Sequence, residues 1–190
     1  MQVAQAVSNL KLRYVVITSV ARDDLQDEGA SHFADTLKAI RQLNPQIKIE
    51  VLIPDFSAKE HAIKILSDSQ PEVIGHNIET VRRLSEYVRS KALHDRSLKV
   101  LKRFRELNPN SFVKSSFMVG LGETRQEISE VMKELFDHGC QILTIGQYLA
   151  PTRMKRHIPV DRFVPPAEFE EFRQEGLQIG FKYIESGPLV

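Results

Sequence analysis

The stretch Ser116–Glu130, SFMVGLGETRQEISE, decides how the rest of the chain is read. An apolar run, Phe117–Val119, stops at Gly120-Leu121-Gly122, and a polar helical pattern starts at Glu123-Thr124. Glycines this close together let the backbone turn sharply and let a ligand approach the main chain. Thr124 and Glu127 have the spacing of a capping box, which predicts a helix start. The amides of that first turn are expected to be free and partly positive, a setting that suits a polar or anionic ligand. The same corner also reads as a plain tight turn between a strand and a helix.

Strand and helix patterns alternate on both sides of this corner. Tyr14–Thr18 is β-branched and apolar, as a buried strand is. Phe33, Leu37, Ile40 and Leu43 fall on one helical face. Ile47–Ile53 reads as a second strand, closed by Pro54, and Ser57-Ala58-Lys59-Glu60 has the form of a capping box for the next helix. Glu72–Ile74 is a short third strand and Leu98, Leu101, Phe104 and Leu107 mark another helix. Ser111–Val119 is the fourth strand. Ile128, Val131, Met132, Leu135 and Phe136 give the helix after it an apolar stripe. Gln141–Ile145 is a fifth strand, Pro166–Gly180 a helix and Phe181–Glu185 a last strand. IRQLNPQIKIEVLIP from Ile40 and FRELNPNSFVKSSFMV from Phe104 echo each other: a helix end, Leu-Asn-Pro, then a strand.

Repeated βα units imply a parallel sheet. Both an open doubly wound sheet and a TIM-like barrel fit the pattern, and about six strands falls short of the eight of a full barrel. No linker divides residues 1–190, so one domain is expected. The 42% apolar and 27% charged content is that of a globular chain. A net charge of +1 gives no nucleic-acid signal, and no apolar run reaches membrane-spanning length. The single cysteine, Cys140, excludes an internal disulfide and fits a reducing cytoplasm. It is read as a small core residue at the end of the sheet away from the expected site.

In either architecture the site lies at the carboxyl ends of the strands. The residues there are Thr18, Ser19, Arg22, Asp23 and Asp24; Pro54, Asp55 and Phe56; His76, Asn77 and Glu79; Gly120, Gly122 and Glu123; and Gly146, Gln147 and Tyr148. Each polar group alone also reads as a helix cap or a turn. Together they point to a ligand site. The basic run from Arg153 to His157 reads as a solvated loop or an anionic contact.

Six blocks carry a resemblance: TSVARDDLQDEGASHFADT, EVLIPDF, HNIETV, MVGLGET, LTIGQYLAPT and ESGPLV. In this order they closely resemble the lipoyl synthase family of radical S-adenosylmethionine enzymes, from Leu10 to Val190. The resemblance implies a partial TIM-like (β/α) barrel of the radical S-adenosylmethionine type. It implies S-adenosylmethionine and two 4Fe–4S clusters as cofactors, and insertion of two sulfurs at C6 and C8 of a protein-bound octanoyl group. It implies an octanoylated lipoyl-carrier domain as partner and an electron donor such as ferredoxin or flavodoxin. Carried onto this chain, it puts Gly120, Gly122 and Glu123 at the adenine-side turn and Asn77 and Glu79 at the ribose. Thr18, Ser19 and Asp23 fall at the methionine amino group, and Gln147 and Tyr148 line the nucleoside pocket. Arg22 and Arg153 face the substrate. The family has Asn where Gly75 stands, and the loop Thr152–His157 is longer than usual. The family's CxxxCxxC motif, further N-terminal cysteines and C-terminal Arg-Ser-Ser do not occur in these residues. A truncated form is therefore expected, inactive alone, with an unpaired edge at Tyr14–Thr18. The alternatives are a fragment keeping only a nucleoside pocket, or a barrel aldolase using Lys114.

Overall fold

The computed structural model describes residues 1–89, 93–152 and 157–190. Its elements are α1 (Gln2–Asn9), β1 (Tyr14–Thr18), α2 (Ala30–Leu43), β2 (Lys48–Leu52), α3 (Glu60–Asp68), β3 (Val73–Gly75), α4 (Ser85–Val88), α5 (His94–Leu107), β4 (Phe112–Val119), α6 (Arg125–Asp137), β5 (Ile142–Gln147), α7 (Pro166–Ile179) and β6 (Tyr183–Gly187). The six strands form one parallel sheet in the order β1-β2-β3-β4-β5-β6. A doubly wound sheet reverses its order at a switch point. This one never does, so the architecture is the partial barrel.

Side-chain alternation along the strands sorts the two faces. Ile49, Val51, Val113, Phe117, Leu143 and Ile145 are buried in a core shared with Leu37, Leu101, Met132 and Phe172 of the helices. The concave face carries Tyr14, Val16 and Tyr183, which are exposed. Strand β1 pairs only with β2, so its other side is a free edge among the described residues, as expected.

The capping box predicted at Thr124 forms: its side chain accepts from the Glu127 amide, and Glu127 reaches back to the Thr124 amide. The one predicted at Ser57 does not. Phe56, Ser57 and Ala58 all have left-handed φ, at 46°, 47° and 54°, and α3 starts after Lys59 with no side-chain cap. Tertiary contacts hold that turn. Phe56 is fully buried and packs edge-on against Phe33, while Asp55 Oδ1 accepts from the Ser57 amide. Leu43 and Phe136, assigned to apolar stripes, lie at the margins of their helices and are partly exposed. Lys114 pairs with Glu50 at 2.8 Å, and Cys140 is buried at the amino end of β5.

Candidate functional site at the carboxyl ends of the strands

The carboxyl ends of β1, β2 and β3 enclose a cleft of about 120 Å3, lined by Thr18, Ser19, His76, Asn77, Glu79 and Arg89 among others. Beyond Gly75 the chain continues beside β4 with a bulge. The Ser116 carbonyl accepts from the amides of both Ile78 (3.0 Å) and Glu79 (3.1 Å), and the Glu79 carbonyl accepts from Met118 at 2.8 Å. Bulges re-aim side chains. Here Ile78 goes into the core and Glu79 is left with a left-handed φ of 68° beside the cleft. Burial raises the Glu79 carboxyl pKa, against the opposing pull of Arg89 and a hydrogen bond from the Asn77 side chain.

His76 lies beneath these residues, 1% exposed. Its Nδ1 meets the Ile53 carbonyl at 3.0 Å and its Nε2 meets Ser97 Oγ at 2.9 Å. Burial pushes its pKa down to about 4, so the ring is neutral at pH 7. A neutral ring with these partners donates from Nδ1 and accepts the Ser97 hydroxyl proton at Nε2. His76 is thus the satisfied turn residue that its bland reading described.

At the GLGE corner the amides that precede the helix are already taken. Glu123 Oε1 accepts from the Gly120 amide at 2.6 Å and Oε2 from the Leu121 amide at 2.9 Å. The Thr124 amide is held by Glu127. The corner's own carboxylates thus hold the amides of Gly120, Leu121 and Thr124, and the Thr124 hydroxyl holds that of Glu127. Gly120, with φ 97°, has a packing reason: a Cβ there would lie 2.3 Å from Gln147 Nε2 and 2.5 Å from the Arg162 carbonyl. Gln147 in turn donates to the Tyr148 and Arg162 carbonyls and accepts from the Val164 amide. Tyr148 donates to the Ile158 carbonyl at 2.8 Å. These side chains pin the segment 158–164 across the ends of β4 and β5.

The expected site residues therefore form two groups at one end of the sheet. Thr18, Ser19, Asn77 and Glu79 share the cleft. Gly120, Gly122, Glu123, Gln147 and Tyr148 shape the neighbouring corner. Ser19 Oγ donates to the Val20 carbonyl, and Asp23 lies on the same exposed loop. Arg22 makes a two-bonded pair with Asp24, at 2.7 and 2.6 Å, and borders a second cleft of about 440 Å3 between α1 and α2. Arg153 lies outside the described residues. Sequence reading missed Arg89 and Ser97. Neither is at a strand end: Arg89 follows α4 and Ser97 lies within α5.

Residues 1–135 match the family profile described as the radical SAM superfamily. The chain belongs to the radical SAM superfamily. Within it, the chain is similar over its whole length to lipoyl synthases. It is 56% identical over 189 residues to that of Symbiobacterium thermophilum, covering 100% of this chain and 58% of the relative. It is 53% identical over 190 residues to that of Pasteurella multocida, covering 100% and 59%. The chain thus spans less than three fifths of the length of these two relatives. Among solved structures, Streptococcus suis SuiB matches with a TM-score of 0.69 at 12% identity, over 97% of this chain and 41% of that one. That is a likeness of fold.

A radical SAM assignment brings an iron–sulfur cluster into question. Such clusters take about three to four thiolate ligands. The only cysteine here, Cys140, is buried at the far end of the sheet, and burial pushes its thiol up to about 12. Among the described residues no group of three His, Cys, Asp or Glu is placed to hold a metal ion. The residues of this chain do not fit a cluster. No helix among the described residues is long and apolar enough to cross a membrane.

Proposed function

We propose that this chain is the S-adenosylmethionine-binding part of a lipoyl synthase, forming a single partial barrel domain over residues 1–190. The whole protein's activity is then insertion of two sulfurs at C6 and C8 of an octanoyl group on a carrier-protein lysine. Its partners are the octanoylated carrier domain and a small electron donor such as ferredoxin or flavodoxin, in the cytoplasm. The observation that carries the reading is the cleft where Thr18, Ser19, Asn77 and Glu79 converge beside Arg89. Its hydroxyls, amide, carboxylate and guanidinium suit the polar groups of a zwitterionic nucleoside.

S-adenosylmethionine supplies the radical chemistry that attacks an unactivated carbon. The work of this chain is to bind and orient it. Asn77 and Glu79 hydrogen-bond the ribose hydroxyls, and Thr18, Ser19 and Asp23 receive the amino-acid end. The turn Gly120–Glu123 shapes the adenine side, with Gln147 and Tyr148 closing that wall. Arg22 and Arg153 face the carrier-borne substrate. Thiolate ligands for a cluster are not among these residues.

Calorimetric titration of S-adenosylmethionine into the chain tests the site. Binding by the unaltered chain that is lost in Asn77→Ala and Glu79→Gln supports it. Binding that persists in both overturns the site assignment, and no binding by the unaltered chain overturns the pocket itself. A chimera tests the activity: this chain replaces the matching segment of a lipoyl synthase relative. Lipoyl formation is expected, and a folded, cluster-loaded but inactive chimera would refute the proposal.

A further inference from the structure

The cleft has a built support behind it that the ribose assignment alone does not explain. Arg89 is the residue after α4. Its Nη1 donates to the Asn77 carbonyl at 2.7 Å and makes a longer contact of 3.5 Å to Ser97 Oγ. Ser97 Oγ meets His76 Nε2, and His76 Nδ1 meets the Ile53 carbonyl. The donor directions agree along the whole path: guanidinium to hydroxyl, hydroxyl to imidazole, imidazole to carbonyl. A path with both ends on backbone carbonyls ties the carboxyl end of β2 to the turn after β3, through α5. His76 and Ser97 are both almost fully buried.

Two features of that turn call for a support. Glu79 holds a left-handed φ of 68°, a conformation that costs a non-glycine residue on the order of 1 kcal/mol or more. Its carboxyl is also largely withdrawn from water, with Arg89 and Asn77 as the groups that favour its charge. Asp55 and Arg96, also near this network, act on His76 in opposite senses. Arg89 Nε and Nη2 make no hydrogen bond among the described residues, and Arg89 lines the cleft itself. A lysine in its place keeps the charge but puts it on a flexible stem, without the rigid guanidinium plane that fixes Nη1 here.

We propose that Arg89 is a positioning residue for diol recognition: through the Asn77 carbonyl and its charge beside Glu79, it holds that amide and carboxylate as a preorganised pair for a ribose. This rests on the ribose reading of Asn77 and Glu79, and it adds a residue that acts through them. Preorganised polar groups bind a ligand better than groups that must order on contact.

The test compares adenosine with 2′,3′-dideoxyadenosine by calorimetry on the full 190-residue chain, unaltered and as Arg89→Met and Arg89→Lys. The unaltered chain is expected to prefer adenosine by about tenfold, the worth of one good polar subsite. Arg89→Met is expected to weaken adenosine about tenfold more than the dideoxy compound, which abolishes the preference, and Arg89→Lys restores part of it. A preference that survives intact in Arg89→Met overturns the proposal. A variant that loses both nucleosides alike makes Arg89 merely structural and also overturns it. If the unaltered chain shows no preference, the ribose reading fails. The role of Arg89 is then decided without ligand, by carbon-13 titration of the Glu79 carboxyl, assigned by its absence in Glu79→Gln. A midpoint raised by about one unit or more in Arg89→Met sustains the preorganisation of the pair, and an unmoved midpoint refutes it.

Discussion

Glu50 and Lys114 stand at the same position in the two echoed segments of the chain, and in the fold they meet at 2.8 Å. Strand β3 lies between their strands, and its Gly75 is the register partner of Lys114. With no side chain at Gly75, the ammonium can cross above β3 to the carboxylate. Tyr14 of β1 donates to the other Glu50 oxygen, so one carboxylate links β1, β2 and β4 on the concave face. The contact leaves Lys114 an ion-pair partner rather than the amine a Schiff base would need.

Breaking this pair from one side leaves a charge with little solvent. The Glu50 side chain is 8% exposed and that of Lys114 is 30% exposed. Lys114→Met is expected to cost about 3 kcal/mol, and adding Glu50→Gln should recover part of the loss. Urea denaturation of the two single variants and the double variant gives the coupling directly. Additive losses would count against it.

Gly120 and Gly122 share a φ of 97° but differ in surroundings. A Cβ at Gly120 would strike Gln147 and the Arg162 carbonyl, whereas one at Gly122 finds Asp161 no nearer than 3.7 Å. Gly120→Ala should cost about 2 kcal/mol or more, and Gly122→Ala about 1 kcal/mol from backbone strain alone. Thermal melts rank them. Protease sensitivity at 158–164 should rise only for Gly120→Ala.

His76 makes the fold sensitive to moderate acid. Its folded pKa, about 4, lies below the ordinary value of 6.5. Between those values the unfolded chain binds the extra proton, so stability falls as pH drops from about 6.5 to 4. The full effect is about 3 kcal/mol, all of it present below pH 4. His76→Asn should lower stability at pH 7 yet flatten this part of the curve. A slope unchanged in the variant assigns it elsewhere.

Glu127 acts at lower pH and with the usual carboxylate sign. Arg83 first, then the Thr124 amide and hydroxyl, hold its pKa down to about 2. Its contribution is present above the ordinary carboxylate range and disappears as pH falls towards 2. Thr124→Ala should cost about 1 kcal/mol at neutral pH through the lost cap. Helix α6 should then lose amide protection in hydrogen exchange before its neighbours do.

Much of this was readable from the chain alone, where the cause was local. The alternation of apolar runs placed all six strands within a residue or two, and Thr124 with Glu127 announced a cap that needs no distant partner. The cap at Ser57 failed because a distant aromatic, Phe33, and the acid Asp55 settle that turn. The Gly120 corner was read as open because the glycines were visible and their neighbours Gln147 and Arg162, far along the chain, were not. Arg89 escaped for a related reason: its contacts run to Asn77 and Ser97, and nothing in its own neighbourhood has a motif's spacing. The clustering of Thr18, Ser19, Asn77 and Glu79 was legible because parallel strands bring their carboxyl ends together whatever the loops contain.

The unbroken order of the sheet bears on how the protein is made. Each inner strand, β2 to β5, pairs with the strands that precede and follow it in the chain. A nascent polypeptide leaving the ribosome can therefore add one strand at a time to a growing edge, with each new helix covering it as it emerges. Among the described residues each of β1 to β5 meets its next partner as soon as the following strand is made, which limits the time its growing edge spends exposed to other chains.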